Sequence, residues 1–365
     1  MRLVYLSPVP WESFAQRPHK FVEWFHGRTG DAVLWVDPYP TRFPSLSDLR
    51  RFAAKADQRQ RAHPPWLRVI RPSALPVEPL PGSGWVNALM WRSVLLELVA
   101  FAGQQTTLVA VGKPSVLALA VVKRMKGCRT VYDAMDDFPA FYSGLSRWAM
   151  SQREQELVRS VSTVLASSTA LMQRWSVLRS DVRLVHNGLD LSVLPPPRLC
   201  AAASHRKVLG YVGTIATWFD WEWVIALAKA RPSDLVRLIG PVFTPAPAAL
   251  PRNVEMLPPC DHQAALLAMQ DFDAGLIPFK KNDLTASVDP IKYYEYRALG
   301  LPVISTAFGE MAEREDEVGT FLSRGVHDVN RLAESALHYI ADGESVRQFA
   351  ASNSWETRFS DAAII

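Results

Sequence analysis

Lys292 and Glu295 stand three residues apart in the run Asp289-Pro290-Ile291-Lys292-Tyr293-Tyr294-Glu295-Tyr296-Arg297-Ala298-Leu299-Gly300-Leu301-Pro302-Val303-Ile304. Pro290 suits the start of a helix, and Gly300 with Pro302 ends it. Helical spacing puts both charges on one face near the helix N-terminus. The free N–H groups and dipole there attract phosphate. Lys292 adds a point charge for a diphosphate, and Glu295, one turn deeper, is a bidentate acceptor suited to a ribose diol. An ordinary surface Lys–Glu pair has the same spacing, so the segment alone leaves both readings open. A second group is acidic: Val131-Tyr132-Asp133-Ala134-Met135-Asp136-Asp137-Phe138. Three carboxylates that repel one another raise the pKa of one, which favours proton abstraction near neutral pH. Capping of the following helix is the plainer role for such a cluster. A third group is the glycine turn Gly210-Tyr211-Val212-Gly213-Thr214-Ile215, where backbone amides can approach a phosphate. It is not G-x-G-x-x-G, so a dinucleotide fingerprint is absent.

Positioning these groups requires a scaffold, and the apolar pattern supplies one. Short β-branched runs at 3–7, 32–36, 67–71, 107–111, 130–133, 163–166 and 182–185 alternate with helical patterns at 18–25, 86–101, 114–125 and 145–160. Continuous apolar strands alternating with helices specify a parallel sheet covered on both faces. Pro18 and Pro114 suit first helical turns. The run Leu194-Pro195-Pro196-Pro197-Arg198, followed by small residues, reads as an interdomain linker. Beyond it the alternation restarts, with strands at 207–212, 235–239, 254–257, 274–277 and 302–305. Helices are expected at 218–230, 262–269 and 290–299. The expected architecture is α/β, with two Rossmann-like domains facing each other across a cleft. Residues 1–195 form the first, 196–345 the second, and 346–365 a final helix whose Trp355 and Phe359 could pack back on the first. Ligands of such sheets bind at the carboxyl ends of the strands.

The segment from Pro290 to Val303 resembles the nucleotide-sugar motif P-x-K-x-x-E-Y-x-A-x-G-x-P-V of GT-B glycosyltransferases. The resemblance implies that Glu295 binds the nucleotide ribose, that the helix start with Lys292 faces the diphosphate, and that Gly213, Thr214 and Ile215 open the donor domain. His186-Asn187-Gly188-Leu189-Asp190 resembles the family's N-G-x-D element, although an Asn-Gly turn explains it equally well. The acidic loop resembles that of the xanthan glucuronosyltransferase and of teichuronic-acid glycosyltransferases. Alignment on the strand places Asp136 on the base, with Asp137 as the alternative. The run Gln16-Arg17-Pro18-His19 is similar to the teichuronic-acid type and implies Arg17 and His19 on the acceptor side. Retaining members often carry a glutamate eight positions before the second one; here Ser287 holds that place, which favours an inverting transfer. No DxD-like motif sits where a metal-dependent transferase needs it, so we expect no metal and no cofactor. The implied partners are a nucleotide-sugar donor, UDP- or GDP-linked with UDP favoured, and a saccharide or lipid-linked acceptor. A UDP-sugar epimerase and a non-catalytic nucleotide-sugar binder are the alternatives.

Bulk properties bound the rest. The 365 residues carry a formal net charge of +4, a small excess that suits phosphate-bearing ligands and gives no reason to expect nucleic acid. Cys128, Cys200 and Cys260 are far apart and lack metal-ligand spacing, which points to a reducing compartment. The start of the chain is too short in apolar residues for a signal peptide, and 86–102 is interrupted by Arg92 and Glu97, so no spanning helix is expected. Arg50, Arg51, Lys55, Arg59 and Arg61, near Trp66, read either as a solvated helix face or as an electrostatic contact with anionic lipid. The expected location is cytoplasmic, with peripheral contact on the inner face of the cell membrane.

Overall fold

The computed structural model describes residues 1–39, 63–75, 77–80, 82–199 and 206–365. The basic run 50–61 therefore lies outside the described residues. The chain forms two compact units, Met1–Val185 with Phe359–Ile365, and His186–Arg358. The first boundary falls at Val185, ahead of the proline run. That run belongs to the second unit, where Leu194 packs on the core and the Arg198 amide donates to the Leu299 carbonyl at 3.0 Å.

Unit 1 is a seven-stranded, all-parallel sheet in the order β3-β2-β1-β4-β5-β6-β7. The strands are β1 (Arg2–Leu6), β2 (Val33–Val36), β3 (Leu67–Ile70), β4 (Thr107–Val111), β5 (Arg129–Ala134), β6 (Thr163–Ala166) and β7 (Val182–Leu184). Leu3, Val4 and Tyr5 are wholly buried, as are Leu108, Val109 and Ala110, because the sheet is covered on both faces. Strand order reverses between β1 and β4, so the loops after these two strands part and leave a crevice. Helices α1 (Arg17–Thr29), α2 (Ser83–Ala88), α3 (Arg92–Ala102), α4 (Val116–Arg124), α5 (Gly144–Ser160) and α6 (Thr169–Ser176) complete the unit. Pro18 lies in the first turn of α1. Pro114 instead precedes the cap of α4, whose N-cap is Ser115 accepting from the Ala118 amide. The single helix expected at 86–101 is broken in two. The Asn87 side chain bonds both the amide and the carbonyl of Leu75, and this tether fixes the break before buried Trp91.

Unit 2 repeats the plan with six parallel strands in the order β10-β9-β8-β11-β12-β13. They are β8 (Val208–Val212), β9 (Leu235–Ile239), β10 (Val254–Leu257), β11 (Ala274–Ile277), β12 (Val303–Thr306) and β13 (Thr320–Ser323). Its helices are α7 (Trp221–Ala230), α8 (His262–Met269), α9 (Ile291–Ala298), α10 (Val329–Leu337) and α11 (Gly343–Ser352), and α12 (Trp355–Asp361) begins in unit 2 and ends in unit 1. Order reverses between β8 and β11. The glycine turn follows β8 and α9 follows β11, so both groups singled out above sit at the carboxyl side of the reversal. Phe359, in the last turn of α12, packs with Phe21 and Trp24 inside unit 1 at ring distances of 5.1 and 5.5 Å. Trp355 lies against Gly188 inside unit 2. Among the described residues no helix is long and apolar enough to cross a membrane.

Candidate active site

Unit 2 presents the nucleotide-type constellation. Pro290 caps α9 in extended conformation. Glu295 is buried, 3% exposed, yet has two polar partners: Lys292 Nζ donates to Oε2 at 2.7 Å and His262 Nε2 meets Oε1 at 2.7 Å. Burial alone would raise its pKa, but the charges and hydrogen bonds of Lys292 and His262 outweigh it and hold the carboxyl below its usual value. Two of roughly four lone-pair directions are used, so the carboxylate retains acceptor capacity. His262, the first residue of α8 behind the N-cap Asp261, was not anticipated. It lies 33 residues from Glu295 in sequence, and only the fold brings them together.

The start of α9 is anchored from below. Asp289 is clasped by Arg314 at 2.7 Å and by the Tyr294 hydroxyl at 2.9 Å. The Asn187 amide donates to Asp289 Oδ2, and the Asn187 side chain to the Asp289 carbonyl, both at 2.7 Å. The Asn-Gly element thus braces the start of α9. His186 beside it meets Glu310 at 2.6 Å. Ser287 is buried at 3% exposure.

The glycine turn after β8 is placed by a close backbone approach. A Cβ on Gly240, at φ 144°, would fall 2.1 Å from the Gly213 carbonyl oxygen, so only glycine fits. This approach commits two of the three expected amides: Gly213 N–H donates to the Ile239 carbonyl and Ile215 N–H to the Pro241 carbonyl, each at 2.9 Å. Ile215 is itself core. Of the three amides, that of Thr214 alone makes no hydrogen bond among the described residues.

Unit 1 carries the acidic group at the end of β5, and each aspartate has a different fate. Asp133 is wholly buried under Arg17, whose Nε and Nη2 donate to Oδ1 at 2.9 and 2.8 Å. Asp137 is clasped by Arg174, at 2.7 Å to Oδ2. Asp136, half-buried, makes no hydrogen bond or ion pair among the described residues. Its burial pushes the carboxyl up to about 7, opposed by Arg17 and reinforced by Asp133 and Asp137. Behind it Glu154, wholly buried, accepts from the Tyr132 hydroxyl and is raised by burial to about 8.

Arg17 and His19 differ from expectation. They are 3% and 0% exposed. Arg17 spends its guanidinium on Asp133 and on the Val185 carbonyl, and His19 bridges the Gln16 amide and the Trp11 carbonyl. Both side chains are thus buried and hydrogen-bonded within unit 1. Trp66 likewise stacks on His26 at 4.3 Å and meets Trp11 edge-on, so its ring belongs to the packing of unit 1.

No protein-family model matches the chain. In an alignment that covers 63% of its length, it is 23% identical to the Bacillus subtilis (strain 168) protein named "Putative teichuronic acid biosynthesis glycosyltransferase TuaH". The match spans 65% of that relative, just under two thirds. Among solved structures, Anabaena HepE in complex with UDP-glucose superposes with a TM-score of 0.65 at 14% identity, covering 100% of this chain and 98% of that one. The lipopolysaccharide outer core galactosyltransferase WaaB gives 0.64 at 12% identity, with 100% and 99% covered. A trehalose-6-phosphate synthase structure concerned with glycosyl transfer with retention gives 0.63 at 12%, again with 100% and 99% covered. Two doubly wound parallel sheets, matched over the whole chain by these structures, give the protein the α/β GT-B glycosyltransferase fold.

Proposed function

We propose that the protein is a glycosyltransferase that moves a sugar from a UDP-linked donor to a hydroxyl of a saccharide or lipid-linked acceptor, with inversion and without a metal. The observation that carries the donor half is the buried Glu295 carboxylate held ionised by Lys292 and His262 at the opening of α9. Such a carboxylate reads a ribose diol, while Lys292 and the free amides of the helix start meet the diphosphate charge. The Thr214 amide adds one further donor. Support for UDP comes from HepE, whose structures hold UDP-glucose or UDP with glucose. Support for glycan synthesis comes from the name of the Bacillus relative.

In the acceptor half, Asp136 of unit 1 takes the proton of the attacking hydroxyl. Among the three loop aspartates it is the one with no arginine on it, and a carboxyl raised to about 7 is matched to base catalysis near neutral pH. Ser287, at the position where retaining members often carry a glutamate, favours direct displacement at the anomeric carbon over retention. Thermal-shift measurement against UDP-, GDP- and TDP-linked sugars tests the donor, since the true donor stabilises in proportion to the logarithm of its concentration over Kd. A UDP-sugar consumed without any acceptor would indicate epimerisation instead. Binding with no turnover against any acceptor would indicate a nucleotide-sugar binder.

A further inference from the structure

We propose that the recess at the carboxyl ends of β1, β2 and β4 in unit 1 is a subsite for an anionic group, phosphate or carboxylate, carried by the acceptor, and that Lys113 is the residue that reads it. The proposal rests on the transfer reading above and gives its acceptor a charge. The recess is shallow and open to solvent, and Ser7, Asp37, Tyr39, Lys113 and Ser115 supply its polar lining. It lies where β1 is flanked by β2 on one side and β4 on the other, at the reversal of strand order. Behind it the loops after β1 and β4 touch: a Cβ on Gly112 would fall 2.8 Å from Pro8 Cδ. Lys113 follows that contact directly, so its backbone is held at the edge of the recess.

The other polar side chains of the lining, and Glu78 behind it, are engaged among the described residues. Ser7 Oγ donates to the Val9 carbonyl at 2.7 Å and accepts the Val9 amide at 3.1 Å. Ser115 Oγ caps α4 through the Ala118 amide at 3.0 Å. Asp37 accepts from the Trp11 amide at 2.9 Å, from Trp35 Nε1 at 2.8 Å and from Arg71 Nε at 3.3 Å, an arginine it shares with Glu12, and burial raises its carboxyl above the usual value. Glu78 accepts from the Tyr39 hydroxyl, the Val116 amide and Arg153, the last two at 2.8 and 2.9 Å. Lys113 makes no hydrogen bond or ion pair among the described residues. Burial pulls its ammonium down, against the pull of Glu78. A half-buried ammonium with three unmet donors carries a standing desolvation cost. The ligand that removes this cost must bring several oxygen acceptors and a negative charge. Neutral hydroxyls supply the first and not the second. Phosphate and carboxylate supply both.

The test uses the full chain with its lysines reductively 13C-methylated, in a Lys292→Ala background so that the donor-type helix is silent. The Lys113 resonance is assigned by its loss in Lys113→Arg. Titration with sodium phosphate and with D-glucuronate should shift that resonance saturably, and D-glucose should leave it unmoved. The anion acting at the lower concentration identifies the group. Lys113→Met should weaken binding of that anion at least about tenfold, the scale of a charge-assisted hydrogen bond, and should leave Tm equal or higher because an unpaired buried charge is removed. No saturable shift with either anion, an equal shift with glucose, or a Tm lowered by Lys113→Met would each overturn the proposal. UDP binding to the unsubstituted chain separates the two readings. Intact UDP binding with a silent Lys113 removes only the anion subsite. Lost UDP binding with a responsive Lys113 removes the transfer reading and, with it, the assignment of the anion to an acceptor.

Discussion

Asp136→Asn should abolish most turnover and at the same time stabilise the protein, and the stabilisation should depend on pH. In the folded chain the carboxyl is raised from the usual 3.8 to about 7, first by burial and then by the neighbouring Asp133 and Asp137, with Arg17 opposing. Glu154 and Tyr132 also face this group. Below the unfolded pKa both states are protonated and the group contributes nothing. As pH rises above it the unfolded chain ionises and the folded chain does not, so stability falls steadily until the folded carboxyl ionises near 7, and stays lowered above that. The full shift corresponds to a ceiling of about 4 kcal/mol. Partial exposure of Asp136 reduces this, and about 1–2 kcal/mol is expected. Urea unfolding of wild type and Asp136→Asn at pH 4, 6 and 8 should show equal stability at pH 4 and a gain for the variant that grows toward pH 8. In parallel, kcat should drop by about 10²–10⁴-fold with donor affinity retained, and wild-type kcat/KM should climb to a plateau above pH 7. A stability difference that is flat from pH 4 to 8 would refute the electrostatic argument. Mild loss of turnover with a severe loss in Asp137→Asn would move the base to Asp137.

Glu295→Ala and Lys292→Ala should each weaken UDP binding by about 1–3 kcal/mol, read by calorimetry; unchanged affinity in both would remove the donor assignment. His262→Ala should weaken it less and should raise the pH at which donor binding is lost on acidification, because one of the groups holding Glu295 ionised is gone. Arg17→Met leaves the wholly buried Asp133 without its cation and should cost about 3–5 kcal/mol in urea unfolding; a change confined to acceptor KM with stability intact would restore Arg17 to the acceptor side. Arg314→Met should cost a similar amount through Asp289. Proton NMR of the transferred sugar reads the stereochemistry from the anomeric coupling, and a product with the donor's configuration would refute inversion while leaving the donor site standing.

The donor-type helix was legible in sequence because everything that defines it is local. A proline opens α9, a glycine and proline close it, and two charges three apart share a face within sixteen residues. The sheets were legible for the same reason, as apolar runs such as Leu3 to Leu6 and Leu108 to Val111 announce strands buried on both faces. The proline run at 195–197 misled because composition reports stiffness and not attachment; Arg198 binds the Gln270 and Phe272 carbonyls and ties it to unit 2. What could not be read locally is which partner each charge finds. Arg17 reaches Asp133 across 116 residues, and Arg314 reaches Asp289 across 25.

This difference decides the acidic loop. Repulsion among three aspartates predicts that one of them is raised and is silent on which. The fold chooses by distributing arginines: Arg17 holds Asp133 and Arg174 holds Asp137, so both carry paired counter-charges. Asp136 between them has no such partner, and its two neighbours act on it as fixed negative charges. Burial is the largest cause of the lift on Asp136; Arg17 opposes it, and the two neighbouring aspartates add to it, so the candidate base is the one loop carboxyl that shares in neither ion pair.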